Sequence, residues 1–153
     1  MKKNKKWIVL ALGIVLCLAL QACAPQGPAV YGINSVWEVD DSSFSITDVK
    51  AADSYTLDSG ETVTPDAGYR FLVITAQLSG ETKVAQMRLK HSETGFEANW
   101  PKGPFDRDGR TVYVFSVLKS LTEDEAIGRL QVDVTLQVGA NKHTGSFQLY
   151  ERK

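Results

Sequence analysis

The sequence predicts an all-β fold, an antiparallel β-sandwich, on three observations. Its segments after residue 35 are short, rich in Val, Phe, Tyr and Thr, and separated by turn residues. One of them, Arg129 to Val138, alternates strictly: Leu130, Val132, Val134, Leu136 and Val138 against Gln131, Asp133, Thr135 and Gln137. That is the period-2 pattern of a strand with one face buried and one wet. Two others, Tyr69 to Leu78 and Thr111 to Val117, are apolar on both faces at once, as central strands are.

The elements follow in order. Val36–Val39 and Phe44–Val49 are strands on either side of the polar turn Asp40-Asp41-Ser42-Ser43. Tyr69–Leu78 carries Tyr69, Phe71 and Val73 on one face and Leu72, Ile74, Ala76 and Leu78 on the other. Val84–Lys90 is the next strand. Thr111–Val117 is entered through Asp108-Gly109, a pair suited to the positive φ angles of a tight hairpin. In Arg129–Val138 a one-residue slip would expose five apolar side chains, which fixes its register. Gly145–Tyr150 closes the set. About seven strands suit an immunoglobulin-like sandwich. Thr122 and Glu125 have capping-box spacing and Gly128 stands where a turn would end, so one short helix is expected there.

The N-terminus carries an address. Lys2, Lys3, Lys5 and Lys6 precede an apolar run from Trp7 to Leu20, which is shorter than the roughly 20 residues a spanning helix needs. Leu20-Gln21-Ala22-Cys23 resembles the lipobox of bacterial lipoproteins, with Gln21 departing from the small residue usual at its position. The resemblance implies that the Cys23 sulfur takes a diacylglyceryl group, that residues 1–22 are removed as a signal peptide, and that Cys23 becomes the first residue. Two or three acyl chains on one residue anchor durably where one does not. The expected location is the extracytoplasmic face of the cell membrane, held there by lipid on Cys23. Residues 23–34, with Ala24-Pro25-Gln26-Gly27-Pro28, read as a flexible tether, and residues 35–153 as the sandwich domain.

Four of the 17 Lys and Arg residues lie before Cys23, so the processed chain keeps 13 against all 18 Asp and Glu, a side-chain sum of minus five. That acidity argues against a nucleic-acid binder and against a domain lying electrostatically on anionic lipid. Cys17 leaves with the leader and Cys23 is alkylated, so no thiol remains for a disulfide or a metal. About 131 residues suffice for one self-sufficient core.

Ala67-Gly68-Tyr69-Arg70-Phe71-Leu72-Val73-Ile74, following Phe44-Ser45-Ile46-Thr47-Asp48-Val49, resembles the uncharacterised immunoglobulin-like, telokin-like domains of bacterial lipoproteins and secreted antigens. Leu78-Ser79-Gly80-Glu81 stands where that family has an Asn-containing turn. The likeness spans most of the processed chain. It implies a non-enzymatic extracytoplasmic module and brings no catalytic residue and no cofactor.

Residue chemistry agrees with that expectation. His91 and His143 belong to no metal or base motif, and a loop position leaves His91 solvated. Asp106-Arg107-Asp108-Gly109 has two carboxylates before a glycine, but lacks the third acid and distal Glu of a calcium loop, so it reads as a turn. No catalytic residue and no metal site are expected. The connection from Ser92 to Asp108 holds Phe96, Trp100 and Phe105, rings that either bind an envelope protein, peptide or glycan or cap one end of the sandwich, with capping the stronger reading. The first expectation is therefore a monomeric, non-catalytic, lipid-anchored binding or envelope-associated module. The second is a small secreted hydrolase or enzyme inhibitor with its site in 92–108, and a third is a structural subunit of an envelope complex.

Overall fold

A computed structural model describes residues 29–99, 101–123 and 128–149. Among these residues twelve strands follow one another: β1 Val30–Tyr31, β2 Trp37–Val39, β3 Ser42–Ala52, β4 Tyr55–Thr56, β5 Thr62–Val63, β6 Tyr69–Ser79, β7 Thr82–His91, β8 Glu97–Asn99, β9 Lys102–Arg107, β10 Arg110–Leu118, β11 Leu130–Val138 and β12 Asn141–Gln148. They form a sheet in the order β1-β12-β11-β7-β8, a second in the order β2-β3-β6-β10-β9, and a separate β4-β5 pair. Strands β3-β6-β10-β9 occupy the A-B-E-D places of an immunoglobulin-like sandwich, and β7, β11 and β12 take the C, F and G places. The expected fold class is the observed one.

Alternation explains the packing. The inward set of β11, Leu130, Val132, Val134 and Leu136, is fully buried against Phe44, Ile46, Leu72, Ile74, Phe115 and Val117 from the facing sheet. Each such side chain contributes about 1.5–3 kcal/mol by leaving water. At one edge Tyr31 stacks on Phe147 at 5.2 Å, and Phe44 meets Phe147 edge-on at 5.2 Å. Gly145 leaves the room that Trp37 fills, since a Cβ there would stand 3.0 Å from the indole.

The two-sided strands require a third layer, and they have one. On the outward side of the second sheet, Phe71, Val73, Val112 and Val114 form a second buried cluster, covered by Ala52, Tyr55, Val63 and Phe105. Tyr55 and Val63 come from the β4-β5 hairpin between β3 and β6, which lies on the sheet, while Ala52 and Phe105 come from β3 and β9. Chain crossing between sheets occurs at Gly80, with φ of 79°. A Cβ there would meet the Asp41 carbonyl oxygen at 2.5 Å, so only glycine fits.

Several expectations change. All seven expected strands are present, and the described residues add five more, β1, β4, β5, β8 and β9, of which β9 with six residues is twice as long as the expected β2. β12 begins at Asn141, four residues before Gly145, because Gly139-Ala140 turns the chain tightly enough for Val138 to face Asn141. The 92–108 connection is not one loop: it contains β8 on the first sheet and β9 on the second. The Thr122 hydroxyl donates to the Lys119 carbonyl at 2.7 Å, within a 3-10 turn over Lys119–Thr122. The rest of that expected helix, through Glu125, lies largely outside the described residues. Pairing starts at Val30, which lies beside Ser146 of β12, within the segment expected as tether. Residues 1–28, including Cys23, lie outside the described residues, as do Trp100 and Tyr150.

Candidate functional site

The outer layer leaves a groove beside it. Its floor is Val73, Thr75 and Val112 from β6 and β10, one wall is Ser54, Tyr55 and Thr56, and its rim is Asp48, Lys50, Arg107, Asp108 and Arg110. The volume is about 700 Å³, within the range of small-molecule sites.

Local sequence sets each wall. The β4-β5 hairpin is closed by the Leu57 amide donating to the Glu61 carbonyl at 2.8 Å and the Gly60 amide to the Leu57 carbonyl at 3.0 Å. Tyr55 then leans on Phe105 at 5.3 Å, and the Arg107 guanidinium lies 5.8 Å from the Tyr55 ring centre. Arg107 also donates to the Asp58 carboxylate and to the Thr56 carbonyl, the latter at 2.8 Å. Loss of hydration works against the Arg107 charge, but the Asp58 hydrogen bond and charge outweigh it and hold its pKa above the ordinary value. The guanidinium is thus fixed as a permanent cation.

Arg107 and Arg110 stand directly opposite each other across the Asp108-Gly109 turn. Asp108 and Gly109 have φ of 54° and 75°, the tight hairpin the sequence predicts, and Asp106 Oδ1 accepts the Gly109 amide at 3.2 Å. The Asp106 carboxylate therefore serves the turn. Among the described residues Lys50 and Arg110 have no ionic partner within 4 Å, so the rim offers cations and carboxylates to whatever enters.

Phe96 and Phe105, two of the sequence-predicted aromatics, do not share one rim. Phe96 is half-buried against the main core, with its carbonyl accepting the His91 amide at 2.9 Å. Phe105 packs into the outer cluster on the other sheet. Both rings have packing partners, and Trp100 lies outside the described residues. His91 is not solvated: it is 5% exposed at the end of β7, and its Nδ1 accepts the amides of Glu93 and Thr94, each at 3.3 Å. His143 sits at the opposite end of the sandwich, with Nε2 3.6 Å from Asp40. Among the described residues no three His, Cys, Asp or Glu side chains converge, and no helix is long and apolar enough to cross a membrane. Sequence reasoning missed Lys50, Tyr55, Asp58 and Arg110. The available signal was the two-sided apolarity of β6 and β10, which demands a cover, together with the isolated Tyr55 and Val63 that provide it.

The fold thus defines an immunoglobulin-like β-sandwich with an extra outer hairpin. No protein-family model matches the chain, and no curated protein matches it. Two solved structures are similar to it: an uncharacterised beta-sandwich protein from Clostridium difficile 630, with a TM-score of 0.49, 8% identity, and 83% of this chain covered against 99% of that one; and a conserved hypothetical protein from Bacillus anthracis, with a TM-score of 0.45, 16% identity, and 74% covered against 94%.

Proposed function

We propose that the chain is a lipid-anchored extracytoplasmic binding module that holds a small polar ligand in the groove beside Tyr55. The groove carries this reading: an apolar floor under a rim of both charge signs, at the size of a ligand site. Lys50 and Arg110, without ionic partners among the described residues, are available to receive a carboxylate, beside Arg107 held by Asp58 and Thr56. Asp48 and Asp108 suit a cationic group on the same ligand, so a short zwitterionic peptide fits better than a purely anionic molecule. The lysines before Trp7 and the lipobox-like Leu20 to Cys23 support the anchor. From Cys23 to Val30 the chain reaches at most about 25 Å, which keeps the sandwich next to the bilayer.

Two experiments test the parts separately. Cys23→Ser should abolish both palmitate labelling and membrane fractionation, and full retention of either defeats the anchor. Titration of the labelled protein with the tripeptide Lys-Ala-Glu should shift the amide resonances of Tyr55, Thr75 and Val112, and Arg110→Ala should weaken the response. Shifts confined to the other sheet would place binding elsewhere.

A further inference from the structure

The register sorts charges that look scattered along the chain. Side chains of β7, β11 and β12 that face away from the core form cross-strand rows: Lys83, Gln137 and Lys142 in one, Gln86, Thr135 and Thr144 in the next, Arg88, Asp133 and Ser146 in a third. Lys90 joins them from β7, and Glu97 stands beside it on β8. This face therefore has four cations against two acids, on a processed chain whose side chains sum to minus five. Asp133 engages Arg88 and Lys90, whereas Lys83 and Lys142 are exposed and have no ionic partner among the described residues. Their strands flank β11, which places their backbones about 10 Å apart on a flat polar surface. The opposite side is more evenly balanced: residues 48–66, which include the covering hairpin, hold Asp48, Asp53, Asp58, Glu61 and Asp66 against Lys50, but Arg70 and Arg107 pair with Asp53 and Asp58, and Lys102 and Arg110 add cations there.

The chain enters on the basic side. β1 is the edge strand of this sheet, and Val30, 58% exposed, continues the row of Ser146, Asp133 and Arg88. Resting on the anchoring of Cys23, we infer that the outer face of the β1-β12-β11-β7-β8 sheet lies against the anionic headgroups of the bilayer that holds the lipid. Seven residues from anchor to Val30 keep this face within reach of the surface, where attraction persists over roughly 8–10 Å at physiological salt. Each lysine brought there strengthens association about fivefold. Net acidity, which argued against such contact, is a sum over the whole chain and does not describe this face, where cations outnumber acids. The outward face with the hairpin and groove is then turned to the external medium.

The test uses the full lipidated chain in vesicles of phosphatidylcholine alone or mixed with phosphatidylglycerol. Reporter thiols at Gln86→Cys, on the basic face, and Ser59→Cys, at the tip of the opposite hairpin, each carry a fluorophore that a nitroxide-headgroup lipid quenches. The expected result is several-fold stronger quenching at position 86 than at 59 in anionic vesicles at low salt. That difference should vanish at high salt, in pure phosphatidylcholine, and in Lys83→Gln/Lys142→Gln, which weakens the contact by up to about 25-fold. Equal quenching at both positions, or stronger quenching at 59, overturns the inference. Vesicle flotation of the same samples separates the causes: flotation without a facial bias defeats the orientation alone, and loss of flotation defeats the anchor and the orientation together.

Discussion

Replacing Asp133 with alanine tests how the charged face is held, because this carboxylate is the hub of the first sheet's outer surface. It accepts from the Ser146 hydroxyl at 2.6 Å, from Lys90 at 2.9 Å and from Arg88 at 3.3 Å, and its side chain is 12% exposed. Burial on its own would raise the carboxyl's pKa; the Ser146 and Lys90 hydrogen bonds, the Lys90 charge and the Arg88 hydrogen bond together outweigh it and hold the value below the ordinary one. The cost of its removal divides unevenly. Arg88 and Lys90, 43% and 34% exposed, rehydrate when the carboxylate is lost, so each contributes only the ~0.2–1 kcal/mol of a surface pair. Ser146 is buried, and a hydroxyl stripped of its acceptor there costs about 1–3 kcal/mol. Asp133→Ala should therefore destabilise the fold by about 2 kcal/mol at neutral pH, with a coupling to Ser146→Ala of about 1 kcal/mol in a double-mutant cycle. Since the folded-state pKa is lowered, this stabilisation is complete above the unfolded value of about 3.9 and is lost as pH falls through the folded value. Urea unfolding followed by tryptophan fluorescence should show the gap between wild type and variant narrowing toward acid. A loss below about 0.5 kcal/mol at neutral pH, or a gap that does not narrow in acid, would refute the reasoning.

Three further outcomes are expected. Gly80→Ala should cost about 2–4 kcal/mol in the same assay, since it adds the clash at the Asp41 carbonyl to the strain of a positive φ, whereas Gly60→Ala, with φ of 84° and open space around it, should cost only about 1–2 kcal/mol. Burial pushes the Tyr113 pKa up to about 12, so the folded protein keeps its proton longer than the unfolded chain does; stability should be intact below about pH 10 and fall by about 2–3 kcal/mol as pH rises to about 12, and Tyr113→Phe should remove that alkaline loss. His91→Ala should cost about 2 kcal/mol by leaving the Glu93 and Thr94 amides without their acceptor, and His91→Asn, which keeps one, should recover part of it in thermal melts.

What the sequence reveals depends on whether a residue's neighbours repeat. β11 is legible because five apolar positions alternate without a break, and Asp108-Gly109 is legible because a two-residue hairpin constrains φ at both positions. β4 and β5 have two residues each and no pattern of their own; they are strands only because a sheet beneath them has apolar side chains to cover. The start of β12, Asn141-Lys142-His143-Thr144, is polar and looks like loop, yet the turn at Gly139 pairs it with β11. His91 is buried because β7 runs on until it faces Leu130, a register fact invisible in a lone histidine. The groove is the least legible feature, since its rim gathers residues from 48 to 110 that only the sheet order brings together.

The placement of β1 has a mechanical consequence. Tension travelling along the backbone from its N-terminal side enters at Val30 and pulls parallel to β12, so the short ladder is loaded in shear and its bonds must fail together. Behind that ladder, the Tyr31 ring wedged on Phe147 acts as a bolt: a tug must extract an aromatic side chain before it can begin to unravel the sheet.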